Sequence, residues 1–402
     1  MLSGVLQLII NVALLRQLGP AQSGIVFVFL NIIALCDGIL GAALDVAVVK
    51  LATLPDQGHG ALHSLQVQKT AMSLKWLACA GLAAPSILLA QVISSTLFAT
   101  PRHSPLISVV VLGVAGLLTL RSVQTHFQIG RRFVVYGAAD MLHSTLKFGS
   151  IAALIWMGTA TPARVLWCVA AAPALVTVCY LAGPARSLAV ARFTRPAARE
   201  LLEISKWYVG GAATGTMTSK MDILLVSSLA GSAQAGIYSA AQNLTIPFQL
   251  LGQYLSVVFT PRIMPLWKTG RLSKVYWLFQ CGALLFCLAG FAAFFAGIGL
   301  LIPGVLPATY LPGVAAAKWL LPAALASILN FPWTVPFLMF THPRFLFVMD
   351  AVALVALSAI YYFAIGDFGA VGAAAVTTGY ALLKTGIFQS LAFRTMQGPC
   401  RP

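Results

Sequence analysis

Apolar runs of about twenty residues recur along almost the whole of this 402-residue chain, and they leave few folds open. A helix rising 1.5 Å per residue needs about 20 residues to cross a hydrocarbon core roughly 30 Å thick, and within that core its backbone must satisfy its own hydrogen bonds. Twelve runs meet this description. The first six are Leu2–Leu15, Ile25–Val49, Met72–Leu97, Leu106–Leu120, Val134–Met157 and Val165–Leu181. The second six are Trp207–Leu229, Ile237–Phe259, Val275–Leu301, Val314–Met339, Leu346–Ile365 and Val371–Leu391. The first is short and lies beside Met1 with neither a charged leader nor a cleavage signal, so it is expected to be a true span whose start is clipped. Only 8% of residues are charged, against roughly 25% in soluble domains. The expected fold class is an all-α polytopic membrane protein of about twelve transmembrane helices.

The net charge of +16, from 25 Lys and Arg against 9 Asp and Glu, would suggest a nucleic-acid partner in a soluble protein. Here it reads as a topology signal. With the N-terminus in the cytoplasm, eighteen bases fall at the inner side, Lys75 and Arg121 among them. Four fall at the outer side (Arg16, Arg102, Arg164 and Lys318), and three, Lys147, Lys220 and Lys384, lie deep within spans. The positive-inside rule then puts both termini in the cytoplasm, and the remaining attraction is for anionic lipid head groups; no nucleic acid is implied. The seven cysteines show no metal-ligand grouping and read as small buried apolar residues. His59 and His63 share a helix face but lack the glutamate of a zinc-protease signature. No metal and no cofactor are expected. The sequon at Asn243 to Thr245 falls inside a span and is set aside.

Two short outer connections, LGPAQSGI (Leu18–Ile25) and AGSAQAGI (Ala230–Ile237), agree at five of eight positions and lie 212 residues apart. Six residues beyond each stands an asparagine, Asn31 or Asn243. Each joins an odd-numbered span to the next, and the even number of spans between them gives both copies the same orientation. That is the pattern of a parallel repeat: two six-helix lobes, residues 1–195 and 196–402. The stretch around Pro196, with Arg186, Arg192, Arg195 and Arg199 and the apolar Leu201, Leu202 and Ile204, is expected to lie along the inner interface and join the lobes.

"LLRQLGPAQSGIVFVFLNIIALCDGIL" (Leu14–Leu40) resembles the first hairpin of polysaccharide-biosynthesis flippases, in the superfamily that includes multidrug and toxic-compound exporters and lipid II flippases. "MDILLVSSLAGSAQAGIYSAAQNL" (Met221–Leu244) is similar to their seventh helix, outer turn and eighth helix, and "GDFGAVGAAAV" (Gly366–Val376) to the turn before a late helix. The motifs carry packing and turns rather than chemistry. The resemblance implies two bundles forming a V around a central cavity, and alternating access that moves an undecaprenyl-diphosphate-linked oligosaccharide from the inner to the outer leaflet of a bacterial cytoplasmic membrane. The product would feed synthesis of a cell-surface polysaccharide such as O-antigen or exopolysaccharide, with a polymerase and chain-length machinery as partners.

Moving a diphosphate and sugars through hydrocarbon requires a wet, polar, partly cationic path, because an unsatisfied polar group there costs several kcal/mol. Lys147, Lys220 and Lys384 each lie 13 residues into their spans, near mid-membrane. Tyr136, Asp140, His143 and Lys147 form one helical stripe, as do Tyr238, Gln242, Gln249 and Gln253 with Pro247 offering a bend. Asn31 and Asp45 share nearly one face of the second span, with Asp37 well off it. Arg16, at the outer mouth, suits a diphosphate or lipid head groups. Asp37, Asp45, Asp140 and Asp222 are candidates for coupling to H+ or Na+. Each residue also has a plain structural reading: Asp140 could neutralise Lys147, Lys384 could pair with Asp350, and the glutamines could bind helices together. An enzyme is disfavoured by short outer loops; the longest, Ile302–Gly313, holds no carboxylate, histidine or base, and no Walker A motif is present. A cation-coupled multidrug exporter of the same fold, or a lipid II or teichoic-type flippase, stays open beside the oligosaccharide reading.

Overall fold

The computed structural model describes residues 2–53, 61–268, 272–340 and 343–397, with side chains outside the description at 2–3, 53, 61–62, 253–254, 256–268, 272–274, 300–301, 303, 331–340, 343–346 and 392–397. Among the described residues the chain is helical throughout its ordered elements, with no strand. In chain order the helices are α1 (Leu2–Cys36), α2 (Ala43–Thr53), α3 (Ala61–Leu88), α4 (Ala90–Phe98), α5 (Ser104–Ile129), α6 (Phe133–Trp156) and α7 (Pro162–Ala182). The short α8 (Arg186–Val190) leads to α9 (Arg195–Ala230), α10 (Ser232–Lys268), α11 (Leu272–Val305), α12 (Gly313–Phe340) and α13 (Pro343–Gln397).

The twelve expected spans all lie within these helices, some joined end to end. α1 turns sharply at Gly19 (φ 69°, ψ 172°), so it holds the first span and the opening part of the second, and α13 turns at Gly369 (φ 57°, ψ −133°) between the eleventh and twelfth. Both angles lie where a Cβ is disfavoured, which is why glycine occupies each corner. The third span breaks at Leu89 into α3 and α4. Seven stretches are apolar and long enough to span a membrane, the 49-residue Gly4–Ala52 and the 45-residue Phe347–Leu391 each holding two passes. α6, α9 and α10 are not among the seven. They are the helices that carry Asp140, Lys147, Lys220, Asp222 and the glutamines.

Two details correct the sequence reading. The stretch with Leu201, Leu202 and Ile204 is not a separate interfacial segment but the first turns of α9, which runs unbroken into the seventh span. Pro196 sits in the first turn, where its missing N–H costs nothing, and no later residue of that stretch stops the helix. Leu201 is buried against Leu44, Ala47 and Val48 of α2 and Val67 and Ala71 of α3, whereas Leu202 is exposed. Secondly, the helix between α1 and α2 is a π-type turn, Asp37–Ala42. Its wider pitch resets the phase of all that follows, so faces counted at 100° per residue fail beyond Asp37.

The two halves of the chain meet along two seams, α1 against α10 and the α1 to α2 run against α9. At one end of the molecule the seams converge on the twin corners. A Cβ built on Gly24 would lie 1.8 Å from the carbonyl oxygen of Ser232, and one built on Gly236 would lie 1.9 Å from the carbonyl oxygen of Pro20. Gly24 and Gly236 occupy the same place in the two motifs, and so do Pro20 and Ser232. The corners therefore touch each other reciprocally, backbone to backbone, at a separation only glycine permits. Ser23 and Tyr310 hydroxyls, 2.9 Å apart, close the same end. The opposite end carries the Gly130–Arg132 turn and the arginine-rich α8 to α9 connection.

Candidate functional site

Below the corner contact, a cavity of about 830 Å³ runs between the halves toward the basic end. No corner residue from 19–24 or 231–237 lines it. Its wall is built from both halves: the polar side chains include Gln7, Asn11, Asn31, Asp37, Arg121, His143 and Lys147 from the first, and Lys220, Asp222, Gln242, Asn243, Gln249, Thr377 and Lys384 from the second. Of the residues expected from sequence, Lys147, Lys220, Lys384, Gln242, Gln249, Asp37 and Asp222 share this one space. Arg16, Asp45 and Asp140 do not line it, and Gln253 falls outside the described side chains. His59 also lies outside the described residues, while His63 Nε2 is 3.7 Å from Glu200 Oε2.

In the first half, carboxylates are paired with bases that the sequence reading had placed at the inner surface. Lys75, fully buried, donates to Asp45 Oδ1 at 2.6 Å and to Ser122 Oγ at 3.2 Å. Arg121 Nε lies 3.4 Å from Asp37 Oδ2. Asn31 and Asp45, expected on nearly one face, are separated: Asn31 and Asp37 line the cavity while Asp45 does not, the π-type turn between Asp37 and Asp45 having shifted the phase. Lys75 and Arg121 were missed because both stand close to span ends. The signal that could have found them is the pair of intramembrane acids, each of which needs a cation within reach.

Lys147 is held differently. Its ammonium donates to Gln7 Oε1 on α1, not to Asp140, and among the described residues no ion pair joins Asp140 to Lys147. Only His143 and Lys147 of the expected α6 stripe reach the cavity; Tyr136, a turn or two away, packs against Met72, Val123 and Phe127. Arg16 Nε donates to the carbonyl oxygen of Val305 at 2.5 Å and its Nη2 to that of Gly304 at 3.2 Å, so this guanidinium caps the last carbonyls of α11 at the corner end.

In the second half the acid at the cavity wall is Asp222, 3% exposed. Tyr238 donates its hydroxyl to Oδ2 at 2.6 Å, Gln242 Nε2 donates to the same oxygen at 2.9 Å, and the Ile223 N–H donates to Oδ1 at 2.7 Å. Tyr238 lies 3.1 Å from Thr377 Oγ1, which is 2.8 Å from the Tyr361 hydroxyl. Neutral donors from α9 and α10 converge on one carboxylate, and hydroxyls from both sides of the Gly369 corner of α13 extend the network through Tyr238. Sequence showed Asp222 as an acid within a span; only the packing shows the network. Lys384 donates to Asp350 Oδ1 at 3.0 Å, the pairing its plain reading anticipated. Among the described residues no hydrogen bond or ion pair holds the Lys220 ammonium, which faces the cavity beside Asp222. Such a wall can take a ligand that carries negative charge and hydroxyls at once.

A family model described as polysaccharide biosynthesis protein matches residues 13–296. The chain belongs to that family. Solved structures agree on the fold across the whole chain. A lipid II flippase, MurJ, in an inward closed conformation superposes with a TM-score of 0.79 at 10% identity, covering 98% of this chain and 86% of its own. An inward-facing multidrug resistance MATE family transporter of the MOP superfamily gives 0.71 at 13% identity, covering 98% and 96%. A MOP superfamily transporter from Pyrococcus furiosus, described as having a binding pocket of reverse polarity, gives 0.62 at 12% identity, covering 99% and 94%. No curated protein matches the sequence. The protein is therefore an all-α polytopic membrane protein of polysaccharide biosynthesis with the fold of these transporters and flippases, on which pocket chemistry varies while the helices stay in place.

Proposed function

We propose that this protein moves an undecaprenyl-diphosphate-linked oligosaccharide across a bacterial cytoplasmic membrane, for assembly of a cell-surface polysaccharide such as O-antigen or exopolysaccharide. Residues 1–195 and 196–402 act as the two lobes, both termini lie in the cytoplasm, and the cavity faces inward with the twin corners at the outer surface. The observation that carries this reading is that Lys147 and Lys220, one from each half, line the same space with no carboxylate bonded to either ammonium among the described residues. Two cations with no carboxylate bonded to them suit a diphosphate, whose removal from water needs countercharge. The glutamine and asparagine side chains around them offer both donors and acceptors to sugar hydroxyls. The lipid tail stays in the bilayer.

A cationic drug fits this wall less well, because Asp37 is paired with Arg121 and Asp222 is filled by its donors. Asp222 is the proposed coupling site for H+ or Na+, since each would compete with those donors for the same oxygens. Polymerase and chain-length machinery are the proposed downstream partners. The test is to replace Lys147 and Lys220 with Ala, singly and together, and measure lipid-linked oligosaccharide in the outer leaflet at matched protein abundance. Each single change is expected to lower transport at least tenfold, and unchanged transport in the double variant overturns the reading.

A further inference from the structure

One line of side chains in the cavity wall does not stop at the cavity. Lys147 donates to Gln7 Oε1; Gln7 Nε2 donates to Asn11 Oδ1 at 2.7 Å; Asn11 Nδ2 donates to Asn243 Oδ1 at 2.6 Å; and Asn243 Nδ2 donates to the Ser239 carbonyl at 2.8 Å. Every bond points the same way, from the ammonium of α6 through α1 and across the seam to α10. Asn11 and Asn243 are 6% and 5% exposed. The link between them joins the two halves through side-chain amides almost wholly buried at the cavity wall, where leaving the bond unmade is costly.

The chain's own repeat provides a comparison. Asn243 has a twin, Asn31, and each donates to the carbonyl four residues earlier, Ser239 in one case and Phe27 at 2.9 Å in the other. The 212-residue offset makes Ile223 the counterpart of Asn11. Ile223 is fully buried and has no side-chain donor, and among the described residues no hydrogen bond crosses the other seam to Asn31. The fold repeats, and the cross-seam amide does not.

We infer that Gln7, Asn11 and Asn243 form a latch on the α1 to α10 seam whose closure depends on where the Lys147 ammonium points. The inference rests on Lys147 being a contact for the anionic group of the substrate. A phosphoryl oxygen is a stronger acceptor than an amide carbonyl, so an anion in the cavity draws the ammonium off Gln7. Gln7 Oε1 then loses its donor, the polarisation that runs down the chain of amides is lost, and the Asn11 to Asn243 bond weakens at its far end. Cargo in the cavity thereby loosens one seam and leaves the other as it was. Because coupling between two equilibria is reciprocal, a broken latch frees Lys147 and raises affinity for the anion. Gln7, Asn11 and Asn243 are in this sense positioning residues.

The seam can be read directly. A Cβ on Gly4 would lie 3.1 Å from Leu250 Cδ1 across the same α1 to α10 contact, so Gly4→Cys with Leu250→Cys, in full-length protein whose native cysteines are replaced by Ala, reports closure by oxidative cross-linking in lipid nanodiscs. Asn243→Leu is expected to lower the cross-linking rate at least threefold, Lys147→Met to do the same, and Asn243→Asp, which keeps the oxygen that Asn11 uses, to stay near the parent rate. Each variant is first shown to elute as the parent does by size exclusion. In parallel, inorganic pyrophosphate is titrated: Asn243→Leu is expected to bind it about three- to tenfold more tightly, although Asn243 lies three hydrogen bonds from Lys147. Unchanged cross-linking in Asn243→Leu overturns the latch, and a drop in Asn243→Leu with none in Lys147→Met overturns its dependence on Lys147. Failure of the parent and of every variant to bind pyrophosphate counts against the anion reading, while the cross-linking arm still decides the latch.

Discussion

The two halves of the molecule hold the carboxylate on their side of the cavity wall in different ways. In the first half Asp37 and Asp45 each face a base from a neighbouring helix, Arg121 and Lys75, so their charge is cancelled where it sits. In the second half Asp350 is paired as well, with Lys384, but the wall acid Asp222 is surrounded by Tyr238, Gln242 and a backbone N–H, all neutral, and no base is bonded to it among the described residues. The difference teaches that the repeat transmitted a shape and not a chemistry. A paired acid is a structural rivet, because removing either partner strands the other in low dielectric. An acid held only by neutral donors can exchange a proton or a small cation for them without leaving a charge behind, which is what an ion-coupled step requires.

The comparison breaks most visibly at Asp45. Asp45→Leu leaves the fully buried Lys75 ammonium unpaired and is expected to cost about 3–5 kcal/mol, seen as lost protein or a lowered unfolding temperature in detergent, with Asp45→Leu/Lys75→Met recovering most of it. Next come the corners, where the halves should behave alike. Gly24→Ala and Gly236→Ala each push a Cβ into a carbonyl of the other half, so both should destabilise by roughly 1–3 kcal/mol, and unequal effects in a thermal unfolding assay would break the reciprocity. Asp222→Asn keeps one acceptor for Tyr238 and Gln242 and should cost only about 1 kcal/mol, yet remove any dependence of transport on H+ or Na+ gradients in proteoliposomes. A matching loss in Asp37→Asn would mean that the two halves are chemically alike after all. The smallest effect is expected from Arg121→Gln. Its guanidinium is 44% exposed and 3.4 Å from Asp37, so stability should fall by less than about 1 kcal/mol while pyrophosphate binding weakens measurably.

Much of the architecture was legible in the chain because crossing a membrane is nearly a one-dimensional requirement: enough apolar length, then a turn. The twelve spans, the corners at Gly19 and Gly231, and the cavity placement of Lys147, Lys220 and Lys384 follow from that. What was not legible depends on neighbours in space. Counting from span ends put Lys75 and Arg121 at the surface, yet both side chains reach back to acids on another helix. The π-type turn after Cys36 has no pattern in its letters, so the face of Asp45 could not be counted from Asn31. Asp222, Tyr238, Tyr361 and Thr377 are spread over 155 residues of chain, from 222 to 377, and meet only because α9, α10 and α13 pack together. Gln7 drew no notice at all, since a glutamine near the start of a first span looks like an end effect until Lys147 is found against it.

The corner contact has one more implication. A patch that touches its own copy, residue for residue in both directions, is the interface of a twofold homodimer, and here it is carried inside a single polypeptide. A half-length ancestor presenting LGPAQSGI or AGSAQAGI would have held the instructions for its own partner. Within one chain neither half has to match the other, and a cross-seam amide found on one side alone is the kind of asymmetry that a symmetric homodimer cannot hold.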